Sequence, residues 1–344
     1  MKRVVWILSE GSPGHVSQSQ GLVSALAKRI ELDATVLQTR PQINGFARDL
    51  VRLWMGACGK PLGGDLLKRW FMVEIPAGVP APDLIVASGG KSVYAARSLA
   101  LKFRVPLVFL GERKPFPSAW FHTVFTPSPL ESAANDVQIE MIPTGITPEV
   151  ADAAARAWQD RPAGKLWAMI IGGASASHRY TVEDWQALGK GMNQLALTHG
   201  IRWLVTTSRR TGAPAEAILR QHLDPRAIAR AVWWAETPEK MVAAFLGSAE
   251  WVFVTQDSVT MVTEAVASGR PTVVTWPTGT TLKAAGLLHG YFKRLVVASR
   301  IIRLPIIGLA HFHADATRVQ PRLCPINCEL AAELIARLRW PTTA

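Results

Sequence analysis

The chain has 344 residues, 49% hydrophobic and 19% charged, long enough for two domains and too apolar for a disordered chain. Three cysteines, an odd and low count, speak against a disulfide framework and for a reducing compartment. The net charge of +12 is uneven, +3 over residues 1–160 and +9 over 161–344, a field that attracts a nucleoside diphosphate, a nucleic acid or an acidic lipid surface.

Lys2 and Arg3 precede only a short apolar run that stops at Ser9, Glu10 and Gly11. That run reads as a first strand, not a secretory signal, so a cytoplasmic protein is expected. No stretch reaches the ~18 apolar residues of a membrane span. Val4–Leu8, Thr35–Gln38, Leu84–Ala87, Leu107–Leu110 and Thr123–Thr126 read as strands, with helices over Val16–Ile30 and Ser92–Lys102. Asn44–Phe71 stands apart as a long basic stretch rich in Trp, Leu and Met. Asp152–Gln159 reads as a helix, and Asp160-Arg161-Pro162-Ala163-Gly164 as a linker. The strand–helix cycle then restarts. Strands are expected at Leu166–Ile171, Trp203–Thr206, Ala231–Trp234, Trp251–Thr255 and Thr272–Thr275. Helices are expected at Val182–Thr198, Ala213–His222, Pro238–Gly247 and Val259–Ser268. A last helix, Cys328–Leu338, would take Asn327 as its N-cap. This order predicts an α/β protein with two Rossmann-like domains facing a cleft, residues 1–160 and 161–344, the last helix packing back on the first.

In parallel sheets ligands gather where strands end and helices begin. Glu10-Gly11-Ser12-Pro13-Gly14-His15 is a tight turn that puts His15 near a helix start, and it lacks the dinucleotide fingerprint. Ser88-Gly89-Gly90-Lys91-Ser92 ends in Gly-Lys-Ser, but Ile85 stands where a P-loop needs glycine. Gly172-Gly173-Ala174-Ser175-Ala176-Ser177-His178-Arg179 exposes amides and hydroxyls beside a cation, which suits a phosphate cradle or a plain small-residue turn. Thr181, with Asp184 three residues on, reads as the cap of the next helix. Arg209 and Arg210 follow another strand and suit an anion or plain solvation. Gln256-Asp257-Ser258 opens a helix that carries Glu264, a carboxylate able to serve the helix dipole or accept two ribose hydroxyls. No Asp-x-Asp occurs, so no metal is expected and a diphosphate would be neutralised by amides and arginines. His311-x-His313 with Cys324 and Cys328 matches no common zinc spacing and reads as a loop with two thiols.

Gly11–His15, Pro82–Gly90, Gly172–Ser175 and Glu264–Pro271, in this order, resemble the GT-B glycosyltransferases, in particular the peptidoglycan N-acetylglucosaminyltransferases. Trp6 through Gly21, with Gly14, His15 and Gln18, and Thr255–Glu264 resemble a bacterial branch of the mitochondrial-fission (elongated-mitochondria) family more closely still. The resemblance covers roughly residues 2–280. It implies a nucleotide-sugar site in the second half. Glu264 would hold the ribose, Gly172, Gly173, Ser175 and Ser177 with Arg179, Arg209 or Arg210 the diphosphate, and Gln256, Asp257 and Ser258 would line the site. Trp234-Ala235-Glu236 would lie near the base. Gly14 and His15 would approach the sugar or acceptor, His15 as general base.

The expected activity is metal-independent transfer from a nucleotide-diphosphate sugar, which is substrate and not cofactor, to a lipid-linked or glycan acceptor. Asn44–Phe71 could lie on an anionic bilayer at the inner face of the membrane, or pack as a helix pair into the first core. Lys293–Leu309, with Arg294, Arg300 and Arg303, is a weaker stretch of that kind. A non-catalytic adaptor and a sugar-nucleotide epimerase remain as alternatives. Nucleic-acid binding fits the charge but has no recognition motif here.

Overall fold

The computed structural model describes residues 2–128, 133–281 and 287–341. It divides into two compact units, residues 1–145 with 326–344, and residues 146–325.

The first unit runs β1 (Arg3–Ser9), α1 (Pro13–Ala27), β2 (Leu32–Gln38), α2 (Gly45–Cys58), α3 (Gly64–Phe71), β3 (Leu84–Ser88), α4 (Val93–Phe103), β4 (Leu107–Leu110), β5 (Thr123–Thr126) and β6 (Asp136–Gln138). Its strands are parallel, in the order β2-β1-β3-β4-β5-β6. Val5–Leu8, Leu84–Ala87 and Leu107–Leu110 are wholly buried, as unbroken apolar runs must be when both faces of a sheet are covered. Pro13 opens α1, where its missing N–H would have had no helical partner.

The Asn44–Phe71 segment is a helix pair. Asn44 caps α2 by accepting the Ala47 N–H at 2.9 Å. Val51 and Met55 of α2 and Leu67 and Phe71 of α3 enter the core, where Phe71 stacks on Tyr94. Phe46, Leu50, Leu53 and Trp54 lie on the opposite side of α2 and are exposed, Phe46 at 74%. The segment therefore packs into the core and also presents an apolar face.

The second unit runs α5 (Pro148–Ala157), β7 (Leu166–Ile170), β8 (His178–Arg179), α6 (Val182–His199), β9 (Arg202–Thr206), α7 (Ala213–His222), β10 (Ile228–Val232), α8 (Val242–Ser248), β11 (Trp251–Thr255), α9 (Val259–Ala267), β12 (Thr272–Trp276), β13 (Gly279–Thr280), α10 (Leu287–Val297) and β14 (Ile301–Pro305). Six parallel strands follow the order β10-β9-β7-β11-β12-β14, and β8 pairs antiparallel with β13. Trp167 on β7 is fully buried against Trp203, Phe253 and Phe312. Thr181 and Asp184 form a complete capping box at α6, as their spacing anticipates.

Two boundaries differ from the sequence reading. The units divide at Gly145 and Ile146 rather than at residue 160, because α5 packs against α8. Arg270 ties them together, reaching Asp152 on α5 at 2.5 Å and the Gly247 carbonyl on α8 at 2.9 Å. Asp160–Gly164 is therefore an internal loop of the second unit. The last helix, α11 (Ile326–Leu338), belongs to the first unit and packs on α1. Asn327 is not its cap. Its buried amide brackets Thr144, donating to the carbonyl at 2.6 Å and accepting the N–H at 3.3 Å. The Lys293–Leu309 stretch is also reassigned, since it contains the C-terminal end of α10 and all of the edge strand β14, whose Ile301 and Ile302 are buried.

Candidate functional site

Each sheet has one point where successive connections leave in opposite directions, and the strand ends there open a crevice able to receive a ligand. In the first unit it lies between β1 and β3, in the second between β7 and β11. The glycine-bearing loops singled out in the sequence and the Gln256–Ser258 turn leave these four strands, while the arginine pair follows β9 and Trp234–Glu236 follows β10.

At the β1/β3 point, Glu10 follows β1 and accepts His15 Nδ1–H at 2.9 Å through one oxygen. Its other oxygen accepts the Lys91 N–H at 3.1 Å. Burial pushes the Glu10 carboxyl up, but the hydrogen bond and charge of His15, with the Lys91 amide, outweigh it and leave Glu10 below the usual carboxylate range. The carboxylate can only accept, so it fixes a proton on Nδ1, and in the neutral form of the ring Nε2 is the lone-pair acceptor. Ser88 Oγ donates to the His15 carbonyl at 2.5 Å and so ties the end of β3 to α1. Gly89 has φ +85°, and a Cβ there would strike His15 Nδ1 and the Glu10 carboxylate. The glycine is what lets the pair form. Gly14 lies in the first turn of α1. Sequence reading selected His15 and missed Glu10, although a carboxylate five residues ahead of a histidine across a glycine turn was the available signal.

At the β7/β11 point, the two loops expected to hold a nucleotide meet. The Gly172 N–H donates to Thr255 Oγ1 at 2.7 Å. Asp257, whose side chain is fully buried, accepts the Gly173 N–H at 2.9 Å, Tyr180 Oη–H at 2.8 Å and Arg210 Nη2 at 2.6 Å. A Cβ on Gly172 would run into the Asp257 carboxylate, and one on Gly173 into the Arg210 carbonyl. Burial first, and then Asp257, push the Tyr180 hydroxyl well above the usual tyrosine range, so it remains a donor.

This geometry changes several assignments. Gly173, Arg210 and Asp257 come together, but they satisfy one another, so Asp257 is an internal anion rather than a ligand-facing group. Arg209 is exposed. Arg179 is exposed on β8, its backbone paired with Gly279. Ser258 caps α9 by accepting the Met261 N–H. Gln256 is fully buried and serves His178 and Arg303 rather than solvent. Ser175 and Ser177 both place their hydroxyls 3.1 Å from His178 Nδ1, and His178 is fully buried. Arg303, read from the sequence as part of a surface stretch, instead packs over the Trp276 ring at 4.7 Å and donates to Gln256.

Glu264 lies six residues past Ser258, about 9 Å along α9 at 1.5 Å per residue. No described residue pairs with its carboxylate, and burial pushes it up to about 7. Buried Glu216, also missed, fastens the turn after β10. It accepts Thr207 Oγ1–H at 2.6 Å and the Ala235 N–H at 3.2 Å, while Arg220 clamps Glu236. The Trp234-Ala235-Glu236 turn is thus rigidly held.

Among the described residues no group of three or more His, Cys, Asp or Glu side chains is placed to hold a metal, and the His311, His313, Cys324 and Cys328 set forms no such group. No described helix is long and apolar enough to cross a membrane.

The family model for mitochondrial fission ELM1 matches residues 13–301. The chain belongs to the mitochondrial fission ELM1 family. No curated protein sequence matches it. Among solved structures, the UDP-GlcNAc 2-epimerase of Methanocaldococcus jannaschii, solved with UDP-GlcNAc and UDP, is similar over 99% of this chain and 100% of that one, at 11% identity and TM-score 0.53. The UDP-GlcNAc 2-epimerase of Neisseria meningitidis, bound to UDP-GlcNAc, gives 10% identity, the same coverage and TM-score 0.53. Arabidopsis thaliana UGT89C1 complexed with UDP gives 11% identity, 98% and 100% coverage and TM-score 0.53. With two parallel six-stranded sheets, this ELM1-family chain has the GT-B fold of two Rossmann-like units.

Proposed function

We propose that this ELM1-family protein binds a nucleotide-diphosphate sugar at its β7/β11 point and transfers the sugar, without a metal, to a lipid-linked or glycan hydroxyl. The observation that carries this is the meeting of the Gly172–Ser177 loop with the start of α9, which also bears the half-buried Glu264, with no partner among the described residues. The Ser175 and Ser177 hydroxyls and the exposed Arg209 and Arg179 would face the diphosphate, Glu264 the ribose hydroxyls, and the Trp234–Glu236 turn the base. His15, held by Glu10, supplies the base. The acceptor oxygen attacks the anomeric carbon, its proton passes to His15 Nε2, and the bond to the diphosphate oxygen breaks to release the nucleoside diphosphate. The exposed apolar face of α2 is where contact with an anionic bilayer would bring a lipid-linked acceptor within reach, at the inner face of the cytoplasmic membrane.

A second reading, a non-catalytic adaptor, draws on one specific observation. Asp257 already takes the Gly173 amide and Arg210, two donors a diphosphate would use. Isothermal titration with UDP, GDP, CDP, TDP and their common sugars separates the two. Micromolar binding of one nucleotide, lost in Glu264→Ala and kept in His15→Ala, supports the transferase reading. No binding of any nucleotide by a folded wild-type protein removes it and leaves the adaptor.

A further inference from the structure

The residues Gly172–His178 were expected to act through amides, the Ser175 and Ser177 hydroxyls and Arg179, yet the two glycine amides are spent internally. What remains open is decided by a buried side-chain chain behind the loop. Ser175–His178 is a tight turn closed by Ser175 N–H to His178 carbonyl at 2.9 Å and His178 N–H to Ser175 carbonyl at 3.4 Å. Behind it lie His178 and Gln256, both fully buried, and then Arg303.

The direction of each proton in this chain follows from chemistry alone. Arg303 has donors only, so the Gln256 atom it meets at 3.1 Å must be the amide oxygen. The Gln256 nitrogen therefore faces His178 Nε2, at 3.1 Å. An amide NH2 can only donate, so Nε2 must be a bare acceptor and the imidazole proton sits on Nδ1. Nδ1–H then donates to the serine hydroxyl oxygens, each 3.1 Å away. Ser175 Oγ also accepts the Ser177 N–H at 3.4 Å. With both lone pairs engaged, its hydroxyl has only a proton left to offer.

We infer that Arg303, Gln256 and His178 are positioning residues that polarise the Ser175-Ala176-Ser177 turn, turning the Ser175 hydroxyl proton outward and biasing that of Ser177 the same way, so that the turn favours an anion such as a diphosphate. Protonation of His178 would set an N–H against the Gln256 amide protons. Burial in addition holds the imidazole below its usual range, with the charges of Arg210 and Arg303 acting in the same direction and Asp257 opposing. The turn keeps its polarity because its source is sealed from water. The cradle thus works through serine hydroxyls aimed from behind, in place of the glycine amides that Thr255 and Asp257 occupy.

The inference rests on the donor-site reading above, and two measurements keep them apart. Imidazole 15N NMR of the apoprotein, with His178 assigned by its loss in His178→Asn, is expected to show Nδ1–H and bare Nε2 at neutral pH. Gln256→Glu, whose carboxylate can accept, is expected to flip the proton to Nε2. An imidazolium or an Nε2–H form in the wild type overturns the inference. Titration with inorganic pyrophosphate is expected to show at least about tenfold weaker binding in Ser175→Ala and His178→Leu. His178→Asn, whose amide NH2 reaches the Nδ1 position, should recover to within about threefold at unchanged thermal midpoint. Nucleotide binding that Glu264→Ala abolishes but Gln256→Glu and Ser175→Ala leave untouched overturns the inference and keeps the donor site. Pyrophosphate binding that responds to Ser175→Ala and Gln256→Glu, without any nucleotide binding, upholds the inference and retires the nucleotide-sugar reading.

Discussion

The two crossover points use the same device for opposite ends. In each, a glycine at the end of one central strand makes room for a carboxylate from the end of its neighbour, Gly89 for Glu10 and Gly172 for Asp257. Glu10 then spends one oxygen on His15 and leaves Nε2 of that ring open. Asp257 gathers Gly173, Tyr180 and Arg210 and leaves nothing of itself open. One carboxylate orients a histidine, the other glues a loop. The same backbone crossing therefore yields different chemistry according to what its carboxylate binds, which no glycine pattern reveals.

The sharpest break in this comparison is to remove each carboxylate. Asp257→Ala strands a buried tyrosine hydroxyl, an amide and an arginine together, so urea unfolding of the full chain should show a loss of about 3–5 kcal/mol. Glu10→Ala, at a half-open site, should cost nearer 1 kcal/mol while abolishing any transfer that needs His15 oriented. Equal losses at the two positions would contradict the division of roles.

Next is Glu264, which belongs to the second point but has no partner among the described residues. Its carboxyl is raised from 4.5 to about 7. Between those values the folded protein holds more protons than the unfolded chain, so this contribution is full below pH 4.5 and is lost as pH rises through 7. Glu264→Gln should match the wild type at pH 4 and exceed it at pH 9, by at most about 3 kcal/mol at 1.36 kcal/mol per unit. A variant no more stable than wild type at pH 9 would mean that the carboxylate is paired or solvated.

The glycines come next. Gly172→Ala and Gly89→Ala should each cost about 1–3 kcal/mol, because a methyl group meets a carboxylate in both. Gly89→Ala carries an added penalty from its left-handed backbone. An unchanged His15–Glu10 contact in a crystal of Gly89→Ala would count against the space argument.

The smallest stability effect belongs outside both points. Phe46→Ser with Leu53→Ser on the exposed side of α2 should change unfolding by no more than about 0.5 kcal/mol. Cosedimentation with vesicles of anionic phospholipid should nonetheless drop several-fold. Unchanged sedimentation would remove the bilayer from the proposal.

The sequence by itself determined the parallel sheets, because strands buried on both faces are apolar runs that end in Gly, Ser or Pro. It also singled out the loops that leave the central strands, because small residues follow such runs where the chain turns tightly, and it named His15 and Glu264 as candidates. Tertiary structure alone decided who pairs with whom. Asp257 reads as ligand-facing until Gly173, Tyr180 and Arg210 close on it from 47 to 84 residues away. Arg303 reads as a surface cation until Trp276, Phe292 and Gln256 enclose it. Asn327 reads as a cap until Thr144, 183 residues earlier, claims its amide. Periodicity and turn chemistry are local and survive in a string of letters. The satisfaction of a buried polar group is a property of whatever the fold brings beside it.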